Sequence, residues 1–268
     1  MTRATVASRF DATILGTLLR RASLVQILVT RSVQARYRGT LLGFVWTLLT
    51  PLLLMAVYSI VFAGYLRVDV PGYPVFLFSA FMPWLWFSSS LQEGTSAILY
   101  GASLITRSRF DPELLPAVAV LSGLVHCSLS LPVIVAFALA MGRPLGWGVF
   151  LLPVLLALQL LLTLGPVTLL SAWNVYFRDV QHVIPTATQA LFFATPILYP
   201  ASVVPERFRF IVTLNPWAYL ARGYQRVLYD GELPLRGDLA MVALAALAIH
   251  GTCEVIFARY RARLAEEL

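Results

Sequence analysis

Between Arg38 and Arg67 the chain carries no charged side chain at all. At 1.5 Å per residue, a helix over that run is longer than the ~30 Å hydrocarbon layer of a bilayer. It is approached through Arg36-Tyr37-Arg38, a basic lead, so this junction reads as the passage from membrane surface to membrane interior. The rest of the chain repeats the theme. Hydrophobic residues make up 59% and charged residues 12%, against roughly a quarter charged in soluble domains. The fold class that follows is an all-α membrane protein with about six spans, given helices of ~20 residues each.

The apolar runs place those six transmembrane helices at about 41–66, 75–99, 114–141, 147–172, 183–199 and 239–258. Pro51 lies inside the first, where it is expected to kink the helix. Ahead of it, residues 1–40 form a separate N-terminal region. Within that region Leu15, Leu18, Ala22, Val25, Val29 and Val33 recur at three- and four-residue steps, with Thr13, Thr17, Arg20 and Arg31 opposite. That pattern predicts an amphipathic helix over about 11–34, lying in the interfacial plane. Residues 41–268 form the membrane domain. Within it, about 200–237 is neither apolar enough to span nor polar enough to be disordered. Pro200, Pro205, Pro216 and Pro234 divide this stretch into two short amphipathic helices, at about 206–214 and 217–229, that dip into the interface.

The formal charge is +7 and every basic residue is an arginine. The arginines flank apolar spans, so they argue for membrane topology rather than nucleic acid. With the N-terminus inside, the inner segments collect most of them, which puts both termini in the cytoplasm. The long fifth connection is outside and keeps five arginines of its own, which is the exception to the count. The absence of lysine has a sharper consequence. A phosphate-binding Walker loop needs its lysine, so ATP that drives this chain must be bound by another polypeptide. Cys127 and Cys253 both lie in apolar runs and read as small hydrophobes.

Catalytic constellations are poor. His126, His182 and His250 sit on different segments without metal-ligand spacing, so no metal site is expected. Glu93 and Glu254 are carboxylates within or near apolar runs, where ionisable groups are functional candidates. The second predicted span is aromatic in its first half (Phe76, Phe78, Phe81, Trp84, Trp86, Phe87) and polar in its second. Trp46, Tyr58, Phe192, Phe193, Tyr199 and Trp217 add aromatics near other span ends. These fit an interfacial belt and equally a set of platforms for the apolar faces of sugar rings.

Taken together, these pieces resemble the membrane subunits of ABC-2 type exporters, in the branch that moves lipid-linked O-antigen, teichoic acid and related glycans. Four stretches carry the likeness in order: Arg36-Tyr-Arg-Gly-Thr-Leu-Leu-Gly-Phe-Val-Trp46 leading to Pro51-Leu-Leu; 104–116; Trp173-Asn-Val-Tyr-Phe-Arg-Asp179; and Ile197-Leu-Tyr-Pro200 leading to Leu214-Asn-Pro216 and Arg226. Asp111-Pro112 adds a proline to the second stretch, and Thr50-Pro51 stands where Asn-Pro is commoner in the family.

The resemblance implies a homodimer of this chain bound to two copies of an ABC ATPase subunit, which holds the ATP and Mg. This chain itself would be a transport subunit with no cofactor and no enzymatic site. It implies a multi-pass protein of the bacterial inner membrane, with membrane lipids and a lipid-linked glycan as its other partners and no nucleic acid. About 100–113 would be the coupling helix that docks on the ATPase, through Arg107, Arg109, Asp111 and Glu113. Asn215, Pro216, Trp217 and Arg226 would belong to extracytoplasmic gate helices. The glycan path would be lined by Trp46, Tyr58, Trp84, Trp86, Phe87, Glu93, Phe192, Phe193 and Tyr199, and Arg36 and Arg38 would meet the pyrophosphate of the lipid carrier. Export of O-antigen, as a step of lipopolysaccharide biosynthesis, is the expected activity. The alternatives are teichoic acid, capsule, a small lipid or a drug as cargo, and an ATP-independent secondary transporter, which would show internal repeats and midplane ion pairs.

Overall fold

A helix over residues 22–35 (α1) opens the computed structural model, which describes residues 22–35, 45–65, 70–107, 110–261 and 263–267. On α1, Val25, Leu28, Val29, Ser32 and Val33 are partly covered while Gln26, Thr30 and Arg31 are exposed. This is the spacing of a helix with one sheltered face. The predicted residues 11–21 of this helix lie outside the described residues. All regular structure among the described residues is helical.

The first predicted span is present from Trp46 as α2 (Trp46–Ser59), which widens into a π-helical stretch at Ile60–Tyr65. Residues 41–44 lie outside the described residues. Next come α3 (Tyr73–Thr95), α4 (Ala97–Tyr100) and α5 (Ala102–Arg107). The two long helices α6 (Leu114–Ala140) and α7 (Leu152–Tyr176) follow, the second preceded by a 3-10 turn at Trp147–Leu151. Helix α8 (Val180–Ala194) leads through α9 (Arg209–Leu214) and α10 (Pro216–Gln225) to α11 (Arg236–Arg261) and a final turn, α12 (Leu264–Glu267).

Four of these, among the described residues, are long and apolar enough to cross a bilayer on their own: Tyr73–Thr95, Leu114–Ala140, Trp147–Tyr176 and Arg236–Arg261. These are the second, third, fourth and sixth of the six predicted spans. In the first predicted span the apolar helix counts only as Leu52–Phe62. The fifth stops at Ala194 instead of reaching Tyr199. The cause is local. Proline disfavours the α region for the residue before it, and Thr195, before Pro196, is extended at φ −101° and ψ 132°.

Helix α3 is the axis of the bundle. It packs against α6, α7, α8 and α10, and its aromatic half fills the space between them. Trp86 is turned toward α6, where its indole Nε1 donates to the Val120 carbonyl at 2.9 Å. In lipid there is no hydrophobic drive to bring helices together, so close backbone approach and van der Waals fit have to do it. Helices α7 and α11 show how. A Cβ added at Gly165 would lie 2.7 Å from the His250 Cα, so only glycine lets α11 lie that close.

The expected pair of short helices between α8 and α11 is present, and it goes deeper than an interfacial dip. Asn215 caps α10 by accepting from the Trp217 backbone N–H at 3.0 Å, with Pro216 in the first helical turn, a favoured N-terminal arrangement. The Trp217 ring lies 4.5 Å from Phe87, while Tyr229 at the other end lies 5.5 Å from Phe76. From Phe76 to Phe87 is about 16 Å along a helix at 1.5 Å per residue. Helix α10 therefore runs antiparallel to α3, with Trp217 about two-thirds of the way along it. Polar groups at that depth are satisfied by other protein groups, and three such bonds hold α10 and its start in place. Asn215 Nδ2 donates to Thr195 Oγ1 at 2.8 Å, Gln225 Nε2 donates to the Pro196 carbonyl at 3.2 Å, and the Tyr224 hydroxyl donates to Gln159 Oε1 at 2.9 Å.

Beyond the C-terminal end of α3 lies a smaller second core. Ile98 of α4, Ile105 of α5, Ala172 of α7, Phe257 of α11 and Leu264 of α12 are buried together.

Candidate translocation path and coupling surface

Tyr58, Trp84, Phe87, Phe192 and Phe193, of the aromatic residues proposed for the path, converge in space, though much of their surface is already used. Trp84 lies 5.2 Å from Trp217 and 5.6 Å from Phe192, and Tyr58 lies 5.6 Å from Phe81. Trp84 and Phe192 are each only 3% exposed, and Trp86 and Phe87 are buried as well. In the single chain these four are the packed wall behind a path rather than free platforms. Accessible aromatic surface is elsewhere. Trp46 is 43% and Phe193 54% exposed, and Tyr58 and Tyr199 are partly covered.

Two cavities meet at Ile211. The larger, about 600 Å³, lies between α8–α9 and α7–α11, and Phe87, Leu162, Ile184 and Trp217 are among its lining. Its walls are almost wholly apolar, and its few polar side chains are engaged: Thr188 Oγ1 donates to the Ile184 carbonyl at 2.9 Å, and Asn215 holds Thr195 and the α10 cap. The buried indole N–H of Trp217 has no partner there. The smaller cavity, about 370 Å³, has Phe193, Tyr199, Pro205 and Phe208 in its wall. The Tyr199 hydroxyl donates to the Phe193 carbonyl at 2.6 Å, which fixes the ring across the cavity.

Glu93 is not at mid-depth. Helix α3 begins at Tyr73 and ends at Thr95, so Glu93 falls in its last turn, exposed. The polar half of α3 is its end rather than a patch in the bilayer centre.

At the opposite end of the bundle, Arg143 stacks over the Tyr229 ring at 4.1 Å and donates to its hydroxyl at 3.1 Å. That hydroxyl donates in turn to the Pro71 carbonyl at 2.7 Å. Burial raises the Tyr229 hydroxyl above its ordinary value, Arg143 opposes the rise and Asp230 adds to it. It therefore remains a protonated donor. Arg226 binds the Leu233 carbonyl at 3.0 Å and forms an ion pair with Glu232, closing the turn after the hairpin.

The segment expected to meet a partner ATPase is α4–α5 and the loop to α6. Arg107 ends α5, Arg109 lies outside the described residues, and so do Arg36 and Arg38. Asp111 and Glu113 are held by one guanidinium. Arg261 Nη2 lies 2.9 Å from Asp111 Oδ1 and 3.1 Å from Glu113 Oε1. No cluster of metal-ligating side chains occurs among the described residues.

The sequence profile of ABC-2 type transporters matches residues 23–229. The chain belongs to the ABC-2 type transporter family. The match runs from α1 to Tyr229, so the family's shared part includes α3, α7, α9 and the buried α10. Relatives narrow the branch. The O-antigen export system permease protein RfbA of Myxococcus xanthus is 38% identical over 243 residues, covering 90% of this chain and 94% of that protein. The protein of the same description from Klebsiella pneumoniae is 30% identical over 212 residues, 78% of this chain and 82% of its own. The polysialic acid transport protein KpsM of Escherichia coli is 23% identical over 243 residues.

Two residues of this ABC-2 chain escaped the sequence reading. Gln159, fully buried in α7, was legible as a lone amide in an apolar run. Arg261 lies in a tail with Arg259 and Arg263 that has the look of a topological signal, and nothing in one dimension pairs it with a carboxylate 150 positions away.

Proposed function

We propose that this chain is the permease subunit of an ABC exporter that moves lipid-linked O-antigen from the cytoplasmic to the outer face of the bacterial inner membrane. The observation that carries this reading is the 38% identity to an O-antigen export permease over nine-tenths of the chain. Two copies would pair, with two ATPase subunits docking on α4–α5 and supplying the ATP and Mg chemistry. Residues 41–66 and the shorter α8 complete six spans in the dimer, α1 lies along the cytoplasmic interface, and both termini are cytoplasmic. The α9–α10 hairpin is the outer gate. Arg36 and Arg38 receive the pyrophosphate of the carrier lipid through charge-assisted bonds. Phe193, Tyr199, Trp46 and Tyr58 offer ring faces to the moving sugars. Many weak, repeated contacts suit a polymer that must also be released.

The test is export itself. Cells lacking the chain should accumulate lipid-linked glycan on the inner leaflet and lose it from the surface. The chain should co-purify with a P-loop ATPase whose hydrolysis is stimulated by that glycan, and the Arg36→Ala, Arg38→Ala variant should lose the stimulation. Undiminished surface glycan in the deletion strain, or transport by the chain alone, refutes the reading. The lower similarity to a polysialic acid transport protein favours capsular polysaccharide as the second cargo to try.

A further inference from the structure

The segment from Ser96 to Glu113 is fastened to the bundle at both ends. At its start, Ser96 Oγ lies 3.2 Å from Gln181 Oε1 of α8, and the Ile98 backbone N–H donates to Ser171 Oγ of α7 at 3.2 Å. At its finish, Arg261 at the end of α11 bridges Asp111 and Glu113. Between the two attachments, Ile98 and Ile105 are buried against Phe257 and Leu264 of the C-terminal helices. The segment is thus a strap across three different membrane helices.

Mechanics follow from that attachment. A strap held at one end turns as a hinge when pushed, and the push is lost in rotation. Held at both ends, it is a strut and carries the push to α7, α8 and α11 together. We infer that Arg261 is a positioning residue for energy coupling: it holds Asp111 and Glu113 to the last membrane helix beside the buried cluster of Ile105, Phe257 and Leu264, so that movement of α5 is delivered to α11. This rests on the reading above that α4–α5 receives the ATPase. Arg261 is 45% exposed and its partners 28% and 24%, so solvent screens each pair and neither alone would hold the strap firmly. A planar guanidinium can hold two carboxylates at once, which a lysine ammonium does with less geometric definition. Leu264, fully buried, gives the same attachment an apolar half.

The experiment uses the full chain assembled with its ATPase in lipid bilayers. Hydrogen exchange is followed over residues 97–107, with glycan exported per ATP hydrolysed as the second readout. With Arg261→Ala, exchange over that segment should quicken about fivefold, the opening expected when two screened ion pairs are lost. Export per ATP should fall several-fold while ATP is still hydrolysed. Arg261→Lys should recover part of both. Asp111→Asn with Glu113→Gln removes the same pairs from the other side and keeps the test open if the arginine variant does not fold. Combining it with Arg261→Ala should add nothing to the change in exchange. Wild-type exchange and wild-type export per ATP in both variants overturn the inference, as do effects that simply add. If the wild-type assembly neither binds an ATPase nor moves glycan, the functional reading fails instead, and the exchange result still decides the strap.

Discussion

Gln159 offers the most direct check on how the buried hairpin is held. Its side chain is fully buried in α7, with Nε2 donating to the Pro83 carbonyl at 2.8 Å and Oε1 accepting from the Tyr224 hydroxyl at 2.9 Å. Leucine is close in size but offers neither group. In Gln159→Leu the Tyr224 hydroxyl loses its acceptor in a site that water does not reach, an uncompensated burial of about 1–3 kcal/mol. Measured side-chain bonds inside membrane proteins are weaker, about 0.6 kcal/mol on average and at most about 1.7, so the lower half of that range is the expectation. Tyr224→Phe should cost about 1 kcal/mol for the same lost bond. The two changes remove one interaction, so the double variant should be less than additive by about 1 kcal/mol, well beyond the ~0.3–0.5 kcal/mol scatter of independent sites. Reversible unfolding in mixed micelles gives the three free energies. Trypsin gives the location, because Arg207, Arg209, Arg222 and Arg226 all lie in this region and should be cut faster in Gln159→Leu. Strict additivity, or unchanged cleavage, would refute the claim that this bond ties α10 to α7.

Three further outcomes follow from the same packing. Asn215→Ala removes the α10 cap and the bond to Thr195, so it should cost about 1–2 kcal/mol and quicken tryptic cleavage at Arg222. Gly165→Ala puts a Cβ 2.7 Å from a backbone atom of α11; backbone yields poorly, and a loss of about 1–3 kcal/mol is expected from unfolding curves. Tyr229→Phe drops the bond to Pro71 and the one from Arg143, costing about 1 kcal/mol and freeing the turn at Arg226 to protease while leaving Gln159 and Tyr224 in place.

Much of the architecture was readable because bilayer thickness turns composition into length. Spans two, three, four and six were placed within a few residues, and even the two hairpin helices fell close to their bounds, since Pro205, Asn215-Pro216 and Gly231 punctuate them. Depth was not readable. The hairpin sequence looks interfacial, with arginines at 207, 209, 222 and 226, and only its contacts with Phe87, Gln159 and Thr195 show that Asn215 and α10 are buried while most of α9 is exposed. The end of α8 was misjudged because Ile197, Leu198 and Tyr199 continue an apolar run that Pro196 has already ended as a helix. Of the aromatic residues, Tyr58, Trp84, Phe87, Phe192 and Phe193 meet in space, but hydrophobicity does not distinguish an accessible ring from one packed on its neighbours, as the buried Trp84 and the exposed Phe193 show. Family membership was legible from ordered motifs, each of them weak alone.

The buried tip of the α9–α10 hairpin also bears on biogenesis. Its polar side chains and four arginines deny it the apolar length with which a nascent segment partitions into lipid unaided. Its partners are Thr195 just behind it, Phe87 and Gln159 far earlier in the chain, and Asp238 at the start of α11, 3.4 Å from Arg222. The hairpin can settle only after α3 and α7 are upright and α11 has been made. It is an insertion completed on a finished bundle, so the contacts of α10 with α3, α7 and α11 are expected to be among the last of this chain to form.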